Sequence, residues 1–216
     1  MSRNGPYYSS KAVFLRAAPE GVMAAAPGPL PRDAWRSASS FADLVGLARR
    51  FLAGEPIGFP GWMAAETDEE TDALLPALQA ACECGFLPVA SQPGAPFGPG
   101  HDGLSWVGRA FIGGFQATHH VDGLAKRADE AGLWLLGSHG CGGHDSHDAE
   151  RDRAPLPAGL RDGTPYLLLG ADAGDAELEI FREAVSPQAV EDLAETTFLW
   201  IVDPVWGRRD RIRDAF

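Results

Sequence analysis

Lysine is almost absent from this chain of 216 residues: Lys11 and Lys126 are the only two, and arginine carries the rest of the positive charge. Thirty acidic residues against 18 basic ones leave a formal net charge of −12. So acidic a surface argues against DNA or RNA as a partner, because phosphate binding needs a basic face. It argues equally against anionic membrane surfaces. Cysteine is scarce too. Cys82, Cys84 and Cys141 are an odd, small set that builds no disulfide framework, so a reducing cytoplasm is the expected setting. Long apolar runs are missing, with nothing near the roughly 18 residues of a membrane span. The N-terminal stretch AVFLRAAPEGVMAAAPG is broken by Arg16, Pro19 and Glu20 and makes a poor signal peptide. Neither a GxGxxG dinucleotide signature nor a GxxxxGK[ST] phosphate loop occurs, and Ser91 sits in ASQPG, not in a GxSxG elbow. The expectation is therefore no organic cofactor and no redox chemistry.

Glycine (26) and proline (17), by contrast, are plentiful and predict many turns. The length suits one large domain with an arm. Residues 1–32 show little periodicity and end in PGPLPRD, which reads as an extended arm able to reach a neighbouring subunit of a homo-oligomer. Residues 33–216 read as a single α/β-type domain.

Within that domain, Phe41, Leu44, Val45, Leu47, Ala48, Phe51 and Leu52 repeat at helical spacing, with Ser39 or Ser40 as cap and Gly54 as stop. TDEETDALLPALQAACECG reads as a second helix, which Pro76 kinks or truly starts. Strands follow at Phe86–Ala90 and Leu104–Phe115, a helix over Val121–Ala131 and a strand at Leu133–Gly137. A long polar loop leads to the strand TPYLLLGA, a helix capped by Ser186 with Pro187 in its first turn, and the strand FLWIVDP. The order is roughly α-α-β-β-α-β-β-α-β. It predicts an α+β or α/β fold with a single mixed central sheet and helices packed on it.

Candidate chemistry gathers at strand ends. GFLPVASQPG runs from an apolar strand into Ser91 and Gln92, and the next strand carries Trp106 and Arg109. A hydroxyl, an amide and a five-donor guanidinium fork form a recognition set for an amide, carboxylate or polar ring. Asp203, at the end of the last strand, has the chemistry to orient a base, anchor Arg109 or start a turn. His119 and His120 are candidate proton carriers near neutral pH. Trp62 and Trp206 are candidate aromatic walls. His139, Cys141, His144, Asp145 and His147 offer zinc-type ligands, but HxCxxHDxH matches no standard spacing, so no metal is expected. Cys82 and Cys84 lie at a helix C-terminus, whose negative dipole end weakens a thiolate, and read as structural. Arg208, Arg209, Arg211 and Arg213 alternate with acids and read as a solvated end.

AWRSASSFADL (Ala34–Leu44), ETDALLPAL (Glu70–Leu78), SQPG (Ser91–Gly94), GRAFIGGF (Gly108–Phe115) and VDPVWGRRD (Val202–Asp210) occur in order. On these motifs the chain resembles an uncharacterised actinobacterial, streptomycete-type domain-of-unknown-function family, over about Asp33 to Asp210. The resemblance supplies no activity. It does imply that Cys82, Pro88 and Gly108 stand where polar residues are usual, and hence a more apolar ligand.

The expectation is a cofactor-independent enzyme of cyclase, isomerase or hydrolase type, acting on a small polar or aromatic metabolite, with specialised metabolism as a compatible setting. Gln92, Trp106, Arg109, Trp62 and Trp206 would bind the substrate, and Ser91, Asp203, His119 or His120 would act on it. The alternative is a non-catalytic module that binds a small ligand or a peptide end.

Overall fold

The computed structural model describes residues 32–61, 67, 69–100, 103–137, 155–170 and 173–216. The arm up to residue 31, Trp62 and the histidine-rich cluster from His139 to His147 lie outside these residues. The apolar repeat at Phe41 becomes helix α2 (Phe41–Leu52), after a short α1 (Arg32–Arg36). Ser40 caps α2 by accepting a hydrogen bond from the Asp43 N–H, while the Asp43 carboxylate accepts from the N–H and hydroxyl of Ser39. Ser40 thus meets one of the donors that a helix start leaves unpaired, and Asp43 in the first turn reaches back to satisfy the donors of Ser39. The expected second helix is broken into α3 (Glu69–Asp72) and α4 (Leu75–Glu83). Pro76 lies in the first turn of α4, where its missing N–H costs nothing, so it marks a start and not a kink. Cys82 is buried on α4, and desolvation pushes its thiol up to about 12, which leaves it inert at neutral pH.

Strands β1 (Phe86–Gln92), β4 (Phe111–Ala117), β8 (Thr196–Val202) and β5 (Trp134–Gly137) form one antiparallel sheet in the order β1-β4-β8-β5. A second antiparallel sheet has the order β2-β3-β6-β7, from β2 (Ala95–Pro99), β3 (Ser105–Gly108), β6 (Leu156–Arg161) and β7 (Thr164–Leu169). The fold is mixed α+β as expected, but with two sheets in place of one. The stretch Leu104–Phe115, read as one strand, is two: β3 ends in the second sheet, Arg109 and Ala110 turn the chain, and β4 begins in the first. Pro93 and Gly94 turn it between β1 and β2 in the same way.

Helix α5 (Val121–Glu130) precedes β5, and α6 (Ala173–Ala184) and α7 (Pro187–Ala194) precede β8. Ser186 caps α7 through the Ala189 N–H. Phe181 of α6 packs on Phe115, which meets Phe198 edge-on across the strand pair. On the opposite face Phe86 meets Phe216, beyond a closing 3-10 turn (Ile212–Ala215). Phe86, Phe111, Phe115, Phe181 and Phe198 are almost wholly buried, so aromatic burial on both faces holds the first sheet. Among the described residues no helix is long and apolar enough to cross a membrane.

Candidate functional site

Opposed residues of an antiparallel sheet point to the same face. At one end of the first sheet such a row reads Gln92, Phe111, Val202 and Trp134 across β1, β4, β8 and β5. Just beyond this row the chain leaves the sheet, and three distant segments are tied together. The Asp203 N–H donates to the Ala110 carbonyl at 2.9 Å, and the Gly207 N–H to the Gly108 carbonyl at 2.9 Å. The Arg109 N–H donates to the Ala158 carbonyl at 2.8 Å, and Arg209 Nε to the Gly94 carbonyl at 2.6 Å. SQPG, GRA and VDPVWGRRD, far apart in sequence, therefore share one corner between the sheets. Glycine is required twice there. A Cβ on Gly94 would collide with the Arg208 carbonyl. One on Gly207, already at φ +77°, would lie 2.9 Å from Pro96 Cα.

Arg109 is at the centre. Its guanidinium carbon lies 4.2 Å from the ring centre of Trp206 and 4.8 Å from that of Trp134. The two indoles make no ring contact with each other among the described residues, so they flank the cation without stacking together. Its Nε and Nη1 are buried without a hydrogen-bond partner among the described residues. Arg109 as a whole is only half-buried, and Nη2 is not one of its buried, unpartnered atoms. Desolvation pulls its pKa down, and the nearby Asp203 charge opposes that shift.

Asp203 itself is fully buried and committed elsewhere. Arg208 grips it with Nε on Oδ2 at 2.6 Å and Nη2 on Oδ1 at 2.8 Å, and the Val205 N–H donates to Oδ1 at 2.8 Å. Those hydrogen bonds from Arg208 to Asp203 hold the Arg208 pKa above its ordinary value. Asp203 thus starts a turn and anchors Arg208 in place of Arg109.

Gln92 belongs to the same corner. Its Nε2 would lie 3.6 Å from a Cβ placed on Gly108, the residue before Arg109. Ser91 does not join it, because adjacent strand residues point to opposite faces. Ser91 lines a separate cavity of about 50 Å³ along the outer edge of β1, with Phe51, Phe59, Leu78 and Pro88 among its apolar walls. Trp106 lies in the second sheet, edge-on to Tyr166 at 4.6 Å and with Arg161 over its ring. His119 and His120 are exposed in the turn after β4, with their rings 4.1 Å apart. Six strand steps separate that end of β4 from Phe111, on the order of 20 Å. The structure thus joins Arg109, Gln92, Trp206 and Asp203, and sets Ser91, Trp106, His119 and His120 apart. Of the three positions where the resemblance implies lost polar groups, only Gly108 is at this corner; Cys82 is in α4 and Pro88 in the cavity.

Sequence reasoning missed two members. Trp134 reads simply as the start of the strand LWLLG, and only the β5–β8 register puts it in line with Gln92 and Phe111. Arg208 reads as part of a solvated run, yet it neutralises a buried carboxylate. The motif VDPVWGRRD contained that pair at a spacing of five residues. Among the described residues, no cluster of histidine, cysteine and carboxylate side chains could hold a metal ion.

The chain belongs to the family described as Domain of unknown function (DUF6919), whose profile matches residues 31–215. No curated protein matches it.

Proposed function

We propose that the protein binds a small anionic ligand at Arg109, between Trp134 and Trp206. The observation that carries this reading is the pair of buried guanidinium donors, Nε and Nη1, with no acceptor among the described residues. A buried donor left unpaired costs about 1–3 kcal/mol, so such a group marks a place where an acceptor is missing. Flanking indoles keep water off the cation and strengthen its attraction to an incoming anion.

Binding is favoured over catalysis by what surrounds the fork. A proton carrier must be within hydrogen-bond reach of the reacting group. Among the described residues Asp203 is the buried carboxylate of this corner, and both of its oxygens are taken. The two histidines are at the far end of β4. Among the described residues at the fork, amide, aromatic and guanidinium groups remain, and these recognise a ligand without moving its protons.

Thermal unfolding with acetate, benzoate and inorganic phosphate tests the reading. A ligand at ten times its Kd adds roughly 1.4 kcal/mol to stability. At least one of these anions should raise the melting temperature of the native protein and leave Arg109→Met unmoved. An equal response from the two proteins, or none from the native one, would contradict the reading.

A further inference from the structure

We infer that the ligand is a monocarboxylate with a flat, apolar body; this rests on the anion-binding reading above and narrows it. Charge decides the head group. Arg208 is neutralised by Asp203, Arg209 Nε is bound to the Gly94 carbonyl, and Arg211 pairs with Asp214 and donates to the Ala131 carbonyl. Among the described residues Arg109 is then the one arginine of the corner whose guanidinium has no hydrogen bond or ion pair, so a single fork meets the head group. A phosphate dianion would leave a second charge uncompensated in a half-buried site of a protein that already carries −12.

Geometry decides the shape. The indoles flank the guanidinium, so a ligand meets it at the edge and in the plane. A planar carboxylate fits an edge made of Nη2 with Nε or Nη1 through two parallel N–H···O bonds. Apolar side chains of this corner are exposed. Trp134 is 42% exposed and Val205 48% exposed, unusual values for such side chains. A flat hydrocarbon body extending outward from the carboxylate would cover the free face of Trp134 and return that surface to a dry contact. A small hydrophilic anion such as acetate would leave it wet.

The test follows the indole N–H signals of Trp134 and Trp206 by NMR in the full chain, with assignments from Trp134→Phe and Trp206→Phe. The probes are benzoate, benzamide, acetate and inorganic phosphate. Benzoate should shift both signals and saturate, with benzamide and acetate weaker by about tenfold or more. Trp134→Leu keeps apolar bulk without an aromatic face and should weaken benzoate by roughly tenfold more than it weakens acetate. Trp134→Ala, with its fold checked by circular dichroism, should behave alike. Phosphate binding tighter than benzoate would overturn the ligand class and leave the anion site standing. Signals indifferent to all three anions would overturn the site itself.

Discussion

Arg109 is where cost and use meet in a single side chain. Two unpaired buried donors destabilise the fold by about 1–3 kcal/mol each, and two cation–π contacts return about 0.5–2 kcal/mol each. Removing the charge while keeping the bulk should therefore leave stability intact. Arg109→Met is expected to unfold at a denaturant midpoint no lower than that of the native protein. A loss of about 2 kcal/mol or more would mean that the guanidinium is a structural pin. Glu177 is a second residue at odds with its surroundings. It is 5% exposed on α6, and burial raises its pKa to about 7 from an ordinary 4.5. Below about pH 4.5 the carboxyl is protonated folded or unfolded. Between 4.5 and 7 the unfolded chain releases the proton and the folded one holds it, so stability falls as pH rises, then levels off about 3 kcal/mol lower. Glu177→Gln should flatten that slope in urea titrations from pH 4 to 8. A slope unchanged by the substitution would show that another group causes it. Arg109, Gln92, Asp203 and Trp206 could be picked from the sequence because polar or aromatic residues at strand ends must find partners. Trp134 could not, since a tryptophan opening an apolar strand is ordinarily core.

At the scale of elements, legibility followed periodicity. The α2 stripe and its serine cap, and the Ser186–Pro187 start of α7, were plain because local chemistry alone specifies them. Strands β2 (APFGP) and β6 (LPAGLR) were hidden by proline and glycine, which usually speak for loops and are tolerated here in short strands with register shifts. Helix α6 was hidden behind a glycine and acidic positions, one of which, Glu177, is buried. The break between β3 and β4 was invisible because nothing in SWVGRAFIGGF signals a change of sheet. That change depends on Gly94 and Gly207, which let the C-terminal segment lie against the corner. Gly94→Ala should lose about 2 kcal/mol or more, because backbone must yield. Gly46→Ala, at an exposed α2 position with open space around it, should gain up to about 1 kcal/mol. Equal effects at the two sites, measured by chemical denaturation, would contradict the close approach.

At the scale of the molecule, the two sheets are joined by continuous chain. β1 runs into β2 through Pro93 and Gly94, and β3 into β4 through Arg109 and Ala110, so neither sheet closes without the corner. Their loss should be one cooperative event. Fluorescence of Trp106, in the second sheet, and of Trp200, in the first, should give coincident urea midpoints in single-tryptophan variants that retain that indole and none of the other five. Two separated transitions would show two independent units. Mixed secondary structure could be read from the sequence, but its division into two sheets depends on pairings between distant segments. The net charge of −12 tells the same story from outside: an anion that binds so acidic a protein must be recognised by a cation in a shaped place.

A crystal structure of the full chain grown with benzoate tests that arginine most directly. The account predicts a carboxylate hydrogen-bonded to the Arg109 guanidinium, with its ring against Trp134. An Arg109 fork bonded entirely to protein groups, with benzoate elsewhere or absent, would contradict it.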